Sequence, residues 1–218
     1  DLDDGAVTGD AGVTGIQTTV SSPNSRRNVT ILDVGDITMG TISTKVTGGY
    51  NLYAGHITIG EEIDPAGDIT VAALDSRNTG GERAGGTITI YGGGNVLIKN
   101  HTTAALGEIN TYNTNSLTSG NVRIRHDGAF AAAKLDTHAE GLYTTNSQGG
   151  DVLFDGDLVT GDGIASTDTF EVTGAILTYQ ARDNLHNAST AGDVTIFNYY
   201  SVKIGGEIQG YNRRTDAD

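Results

Sequence analysis

The sequence predicts an all-β fold, a single-stranded parallel β-helix (β-solenoid) of about six to seven coils, with three short strands per coil and variable loops at one corner. Three observations predict it. Three families of short apolar segments recur along the chain in a constant order. Glycine punctuates them, with 32 glycines against 2 prolines in 218 residues. The distance between copies varies while their order holds, as when one corner of a coil tolerates insertions.

The first family comprises Val29-Thr30-Ile31, Ile57-Thr58-Ile59, Ile88-Thr89-Ile90, Val122-Arg123-Ile124, Val152-Leu153-Phe154 and Val194-Thr195-Ile196. Two positions upstream of five of these stands a glycine (Gly55, Gly86, Gly120, Gly150, Gly192), and Arg27 stands before the other. The second family is Ile37-Thr38-Met39, Ile69-Thr70-Val71, Val96-Leu97-Ile98, a weak copy around Phe130, Phe170-Glu171-Val172 and Val202-Lys203-Ile204. The third begins at Ile16, Ile42, Leu74, Ile109, Leu135, Ile176 and Ile208, and six of its seven members carry Thr or Ser two residues later. Its members lie from 26 residues apart (Ile16 to Ile42) to 41 residues apart (Leu135 to Ile176).

Period-two alternation over three residues reads as strand, with the aliphatic residues pointing in. Equivalent strands of successive coils would then pair in parallel at ~4.8 Å, the other two sides of each coil providing the long return that parallel pairing needs. The Thr or Ser of the third family points the same way as its aliphatic partner, so its hydroxyl is expected at an inner corner, bonded to backbone. A two-sheet sandwich is the alternative, but it does not require the fixed order of three families.

One domain is expected over residues 1–218, with 1–26 a degraded first coil in which only Val13 and Ile16 to Thr18 are recognisable, 27–210 six main coils and 211–218 a tail. Insertions fall mostly between the third strand of one coil and the first of the next, as at Lys45 to Ala54 and His138 to Gly149, forming one irregular edge. A further insert, Asp155 to Thr169, lies in the fifth coil.

The units GHITI, GDITV, GGTITIYGGGNVLI, GEINT and GDVTI resemble the repeats of filamentous-haemagglutinin-type exoproteins, over about Asn28 to Gly210. The repeat here is longer and less even. The resemblance implies a right-handed parallel β-helix on a bacterial surface, exported by a two-partner route and serving in adhesion or as a fibre.

Composition narrows the function. With 13 Lys+Arg against 27 Asp+Glu, the net charge of -14 argues against binding nucleic acid or anionic membrane surfaces. No apolar run is long enough to span a bilayer, and there is no cysteine for a disulfide framework. The first residues, DLDDG, carry neither a basic start nor an apolar core, which suggests a mature form or a segment of a longer chain.

Candidate chemistry is sparse. Asp75 and Asp136 share the outward position of the third strand with Asn110 between them, two coils or ~9.6 Å apart, near the range of an inverting carboxylate pair. Isolated surface aspartates are the simpler reading. Arg123-Ile124-Arg125-His126-Asp127 is read as a solvated basic patch rather than a His held by an Asp. Asp155, Asp157, Asp162 and Asp168 offer calcium-type oxygen ligands, without the spacing of an EF-hand or a calcium-binding nonapeptide, against a solvated acidic loop. Tyr112-Asn113, His138, Tyr179-Gln180 and Tyr211-Asn212 should stack along one flank, chiefly to stabilise it. The row Thr30, Thr58, Thr89 and Thr195 is broken by Arg123 and Leu153, against a lattice-binding face.

No catalytic or cofactor-binding residue is assigned. The expectation is a non-enzymatic, extracellular structural protein that self-associates end to end or continues as a long adhesin, with surface polysaccharide or a neighbouring cell as possible contacts. A polysaccharide-binding or polysaccharide-cleaving β-helix is the alternative.

Overall fold

A computed structural model describes residues 7–8, 15–18, 26–32, 35–48, 52–80, 83–114, 118–141, 148–158, 164–182 and 190–214. Among them there is no helix, and short strands stack into three parallel sheets. The first sheet runs from Val29–Ile31 through Ile57–Ile59, Ile88–Gly92, Val122–His126 and Val152–Asp155 to Val194–Phe197. The second runs from Val7–Thr8 to Ser201–Ile204, and the third from Ile16–Gln17 to Ile208–Gln209. This is a parallel β-helix with three strands per coil, and the three sheets are the three families of apolar segments.

Register follows the aliphatic positions coil by coil. Ile57 opposes Ile88, Ile88 opposes Val122, and Val122 opposes Val152. In the third sheet Ile16, Ile42, Leu74, Ile109, Leu135, Ile176 and Ile208 form one row. A slip of one residue would turn each row outward, so burial of one face locks the register. The rows converge on one continuous core from Val29 to Ile176, in which Ile57, Ile88, Ile124 and Leu135 are completely buried. Phe130, Phe154 and Phe170 widen it, with ring centroids 4.6 to 5.1 Å apart.

Two features exceed the sequence reading. Phe130–Ala132 is a full strand, paired with Val96 on one side and Phe170 on the other. Val7–Thr8 pairs with Ile37–Thr38, so the degraded first coil contributes to the second sheet as well as the third; Val13 lies outside the described residues.

The corner between the third and first sheets repeats one bonding pattern. Thr44, Ser76, Thr111, Thr137 and Thr178 are fully buried. Thr44 donates to the Gly55 carbonyl at 2.7 Å, Thr137 to Gly150 at 2.7 Å and Thr178 to Gly192 at 2.8 Å. In return the amides of Gly150 and Gly192 donate to the carbonyls of Thr137 and Thr178 at 2.8 and 2.9 Å. Ser76 departs from the pattern, accepting from the Gly86 amide at 2.8 Å but giving its hydroxyl to the Gly55 carbonyl of the preceding coil. These glycines lie directly over one another. A Cβ on Gly86 would overlap the Gly55 carbonyl, one on Gly120 the Gly86 carbonyl, and one on Gly150 the Gly120 carbonyl. Arg27 occupies the same position in the first coil, where Thr18 donates to its carbonyl at 3.0 Å.

A fourth parallel ladder flanks the coil beyond this corner. It begins as bridges joining Val46, Asn78, Asn113 and Ala139 and broadens into the strands Ala139–Gly141, Gln180–Arg182 and Asn212–Arg214. The last of these falls in the segment read from sequence as a tail. Its polar residues carry no apolar alternation, so nothing in their pattern marks them as strand.

The corner predicts a sharp contrast between glycines. Gly120→Ala should cost about 1–3 kcal/mol, since the added methyl meets backbone that cannot yield. Gly35→Ala, with nothing within 4 Å of the new methyl, should stay within about 0.5 kcal/mol of the parent. Chemical denaturation of both variants measures the difference, and equal stabilities would contradict the stacking constraint.

Candidate functional site

The outward face of the third sheet and the fourth ladder forms a grid. Gln17, Ser43, Asp75, Asn110 and Asp136 stand in one row, followed by Leu177 and Gln209. Asp75 and Asp136 therefore share the row, with Asn110 between them, as the spacing predicts. They are not isolated surface aspartates, however: Ser43, Asp75, Asn110 and Asp136 are only 3 to 8 % exposed.

Each carboxylate has its own cations. Asp75 lies 3.4 Å from Arg77 Nε and 4.0 Å from Lys45 Nζ. Burial pushes its carboxyl above the usual range, offset only in part by Arg77 and Lys45. Asp136 accepts from Lys134 Nζ at 2.7 Å and pairs closely with His138 Nδ1. Burial acts upward here too, but the hydrogen bond and charge of His138, with those of Lys134, hold the group below its ordinary value. His138 Nε2 faces Glu140 at 3.3 Å, completing a period-two run of Lys134, Asp136, His138 and Glu140 along one strand direction. That run is legible in the sequence once the chain is known to stay extended from Lys134–Asp136 into Ala139–Gly141.

Two depressions lie along this face. One of about 380 Å³ is lined by Gln17, Thr41, Ser43, Lys45 and Asp75. The other, about 310 Å³, extends from Arg77 over Asn110 to Asp136 and His138. The hydroxyl of Ser43, on the floor of the first, has no hydrogen-bond partner among the described residues.

The aromatic column forms as expected. Tyr112 stacks on His138 at 4.9 Å, His138 on Tyr179 at 4.8 Å and Tyr179 on Tyr211 at 5.7 Å, all within 15° of parallel. Arg77 lies over the outer face of Tyr112 at 5.5 Å. The rings present their faces to one another, which favours reinforcement of the flank over stacking on a ligand. The amides beside them are buried: Asn78 Nδ2 donates to the Leu52 and Arg83 carbonyls at 2.9 and 2.7 Å, and Asn113 Nδ2 to Arg83 and Thr118 at 2.7 and 3.2 Å. They tie the variable loops back to the coil.

The Arg123-to-Asp127 segment is not a solvated patch throughout. Arg123 is exposed, but Arg125 donates to Asp155 at 3.0 Å and pairs closely with Glu62. His126 points inward and is fully buried, with Nε2 2.7 Å from the Tyr199 hydroxyl and Nδ1 3.3 Å from the Asp127 carbonyl. These partners assign the neutral ring, Nδ1–H donating to the carbonyl and Nε2 accepting from Tyr199. Burial lowers the His126 pKa and raises that of Tyr199. The extra length of Val122–His126 carries His126 past the alternation that sequence alone predicts.

In the fifth-coil insert the carboxylates of Asp155 and Asp168 have protein partners. Asp155 is held by Arg125 and by Asn198 Nδ2 at 2.9 Å, and Asp168 accepts from the amides of Gly128 and Ala165 at 3.1 and 2.5 Å. Asp162 lies outside the described residues. No group of three His, Asp or Glu is placed to hold a metal among the described residues. The outward Thr30, Thr58 and Thr89 do align, and Arg123 and Leu153 do interrupt the row before Thr195.

Comparison with protein-family models, with curated proteins and with solved structures found no match to this chain.

The buried imidazole sets a pH dependence. The unfolded chain takes up a proton on His126 near its ordinary value of 6.5, whereas the folded chain resists it, so acidification below that pH lowers stability. His56, lowered by burial and by Arg26, acts with the same sign. Thermal melts from about pH 8 to about pH 5 should show a falling midpoint, and the fall should be shallower in His126→Phe. An identical slope in the variant would contradict the assignment.

Proposed function

We propose that this chain is a non-enzymatic structural segment of an extracellular fibre or adhesin, of the filamentous-haemagglutinin type, extended by end-on stacking of coils. One observation supports this above others. In the coil formed by Val194–Phe197, Ser201–Ile204 and Ile208–Gln209, Val202 is 53 % and Ile208 52 % exposed, whereas their register partners Phe170 and Ile176 are 1 % and 0 % exposed.

These side chains belong to the rows that build the core, and Tyr200 at 68 % exposure adds to the same end. Covering a Val or Ile contributes about 1.5–3 kcal/mol, and a parallel strand laid on this edge also satisfies its free backbone groups. The surface it fits best is the opposite end of a second copy, where Val7–Thr8 and Ile16–Gln17 begin the same two sheets. Such a contact is head to tail, so it propagates rather than closes. The net charge of -14 suits flanks that stay in water and apart from one another.

Sedimentation velocity over a concentration series tests the reading. The parent chain should form species that lengthen with concentration, and the double variant Val202→Asp, Ile208→Asp should remain a monomer. A parent that is a compact monomer at the highest concentration would refute end-on assembly.

A further inference from the structure

We propose that the outward face of the third sheet binds a linear, neutral, hydroxyl-rich glycan laid along the solenoid axis. The two depressions described above follow one another along this face, the first bounded by Asp75 and the second by Arg77, which pair at 3.4 Å between them, and together they make up an interrupted trough. Along it runs the polar row Gln17, Ser43, Asp75, Asn110 and Asp136, exposed at Gln17 and buried at the other four, five positions at the strand spacing, or about 19 Å from end to end. Leu177 ends it.

Three features point to this ligand class. The Ser43 hydroxyl is buried on the floor with no partner among the described residues, a group that a ligand hydroxyl would satisfy. Among the described residues the trough offers no unpaired cation: Lys45 and Arg77 face Asp75, Lys134 and His138 face Asp136, His138 also faces Glu140, and Glu108 accepts from the Asn110 amide at 3.2 Å. A polyanion would need cations free of such partners, so a uronate or sulfate polymer is disfavoured. The remaining lining of amide, hydroxyl and carboxylate oxygen, repeated at each coil, matches a chain that presents hydroxyl groups at regular intervals. Because the aromatic faces stack on one another, recognition rests on hydrogen bonds along the floor.

The site lies on a flank and does not depend on end-on assembly, so either proposal can fail without the other. The test titrates the full chain with the hexasaccharides of cellulose, laminarin, mannan and xylan, with hexagalacturonate as the charged comparison, following backbone amide shifts by NMR. At least one neutral hexamer should bind about tenfold more tightly than hexagalacturonate and shift the amides of residues 43, 75, 110 and 136. Ser43→Ala, which removes a hydroxyl that no side chain uses, should weaken binding about fivefold, as should Asn110→Ala, while Thr38→Val on the second sheet should not. The proposal is overturned if no neutral hexamer binds at millimolar concentration, if hexagalacturonate binds as tightly, or if Ser43→Ala binds like the parent.

Discussion

The close approach of glycine on glycine at one corner is the constraint on which the remaining structure depends. Each coil must sit at strand spacing on the one below, and at Gly55, Gly86, Gly120, Gly150 and Gly192 the backbones leave no room for a Cβ. The threonine across the corner turns that approach into a bonded unit, its hydroxyl and carbonyl serving the glycine carbonyl and amide, while Ser76 links two coils by bonding the Gly55 carbonyl and the Gly86 amide. Buried backbone groups that a tight turn would otherwise strand are thereby satisfied. With this corner held, the three apolar rows fall into register and the core closes as a column.

Much of this was legible in the sequence because the demands repeat. A residue that must be inward, small or hydroxylated in every coil leaves a recurring trace, as Thr111 and Thr137 do two residues after Ile109 and Leu135, and Gly120 and Gly150 do two residues before Val122 and Val152. What was not legible lacked repetition. Val7–Thr8 is two residues long and Phe130–Ala132 has alanines where its neighbours have larger aliphatics. The fourth ladder is carried by Asn78, Asn113 and Gln180, and the side chains of the first two bond to loops that differ from coil to coil. At the candidate site the row of Asp75, Asn110 and Asp136 follows from register alone. Its burial and ion pairs depend on long side chains of adjacent coils, such as Lys45 and Lys134, whose reach no alternation encodes.

The solenoid separates its surfaces by physical character. Its flanks carry acidic charge, ion pairs and stacked rings, all compatible with water. The coil at Val194 to Gln209 instead carries the core's own apolar rows, exposed. The third-sheet face is the recessed part of these flanks, where the polar and charged side chains bond to one another. Assembly and ligand recognition are accordingly assigned to different surfaces, and both rest on coils held at one spacing by the same corner.

Native-state hydrogen exchange read amide by amide tests that dependence most directly. If the glycine corner holds the coils together, the amides of Gly86, Gly120 and Gly150 exchange only with the global opening that also releases Ile88, Val122 and Val152, with weaker protection at Gly192 in the exposed last coil. Corner amides that exchange at loop rates while the neighbouring strands stay protected would contradict the account, since the sheets would then hold their register without the corner.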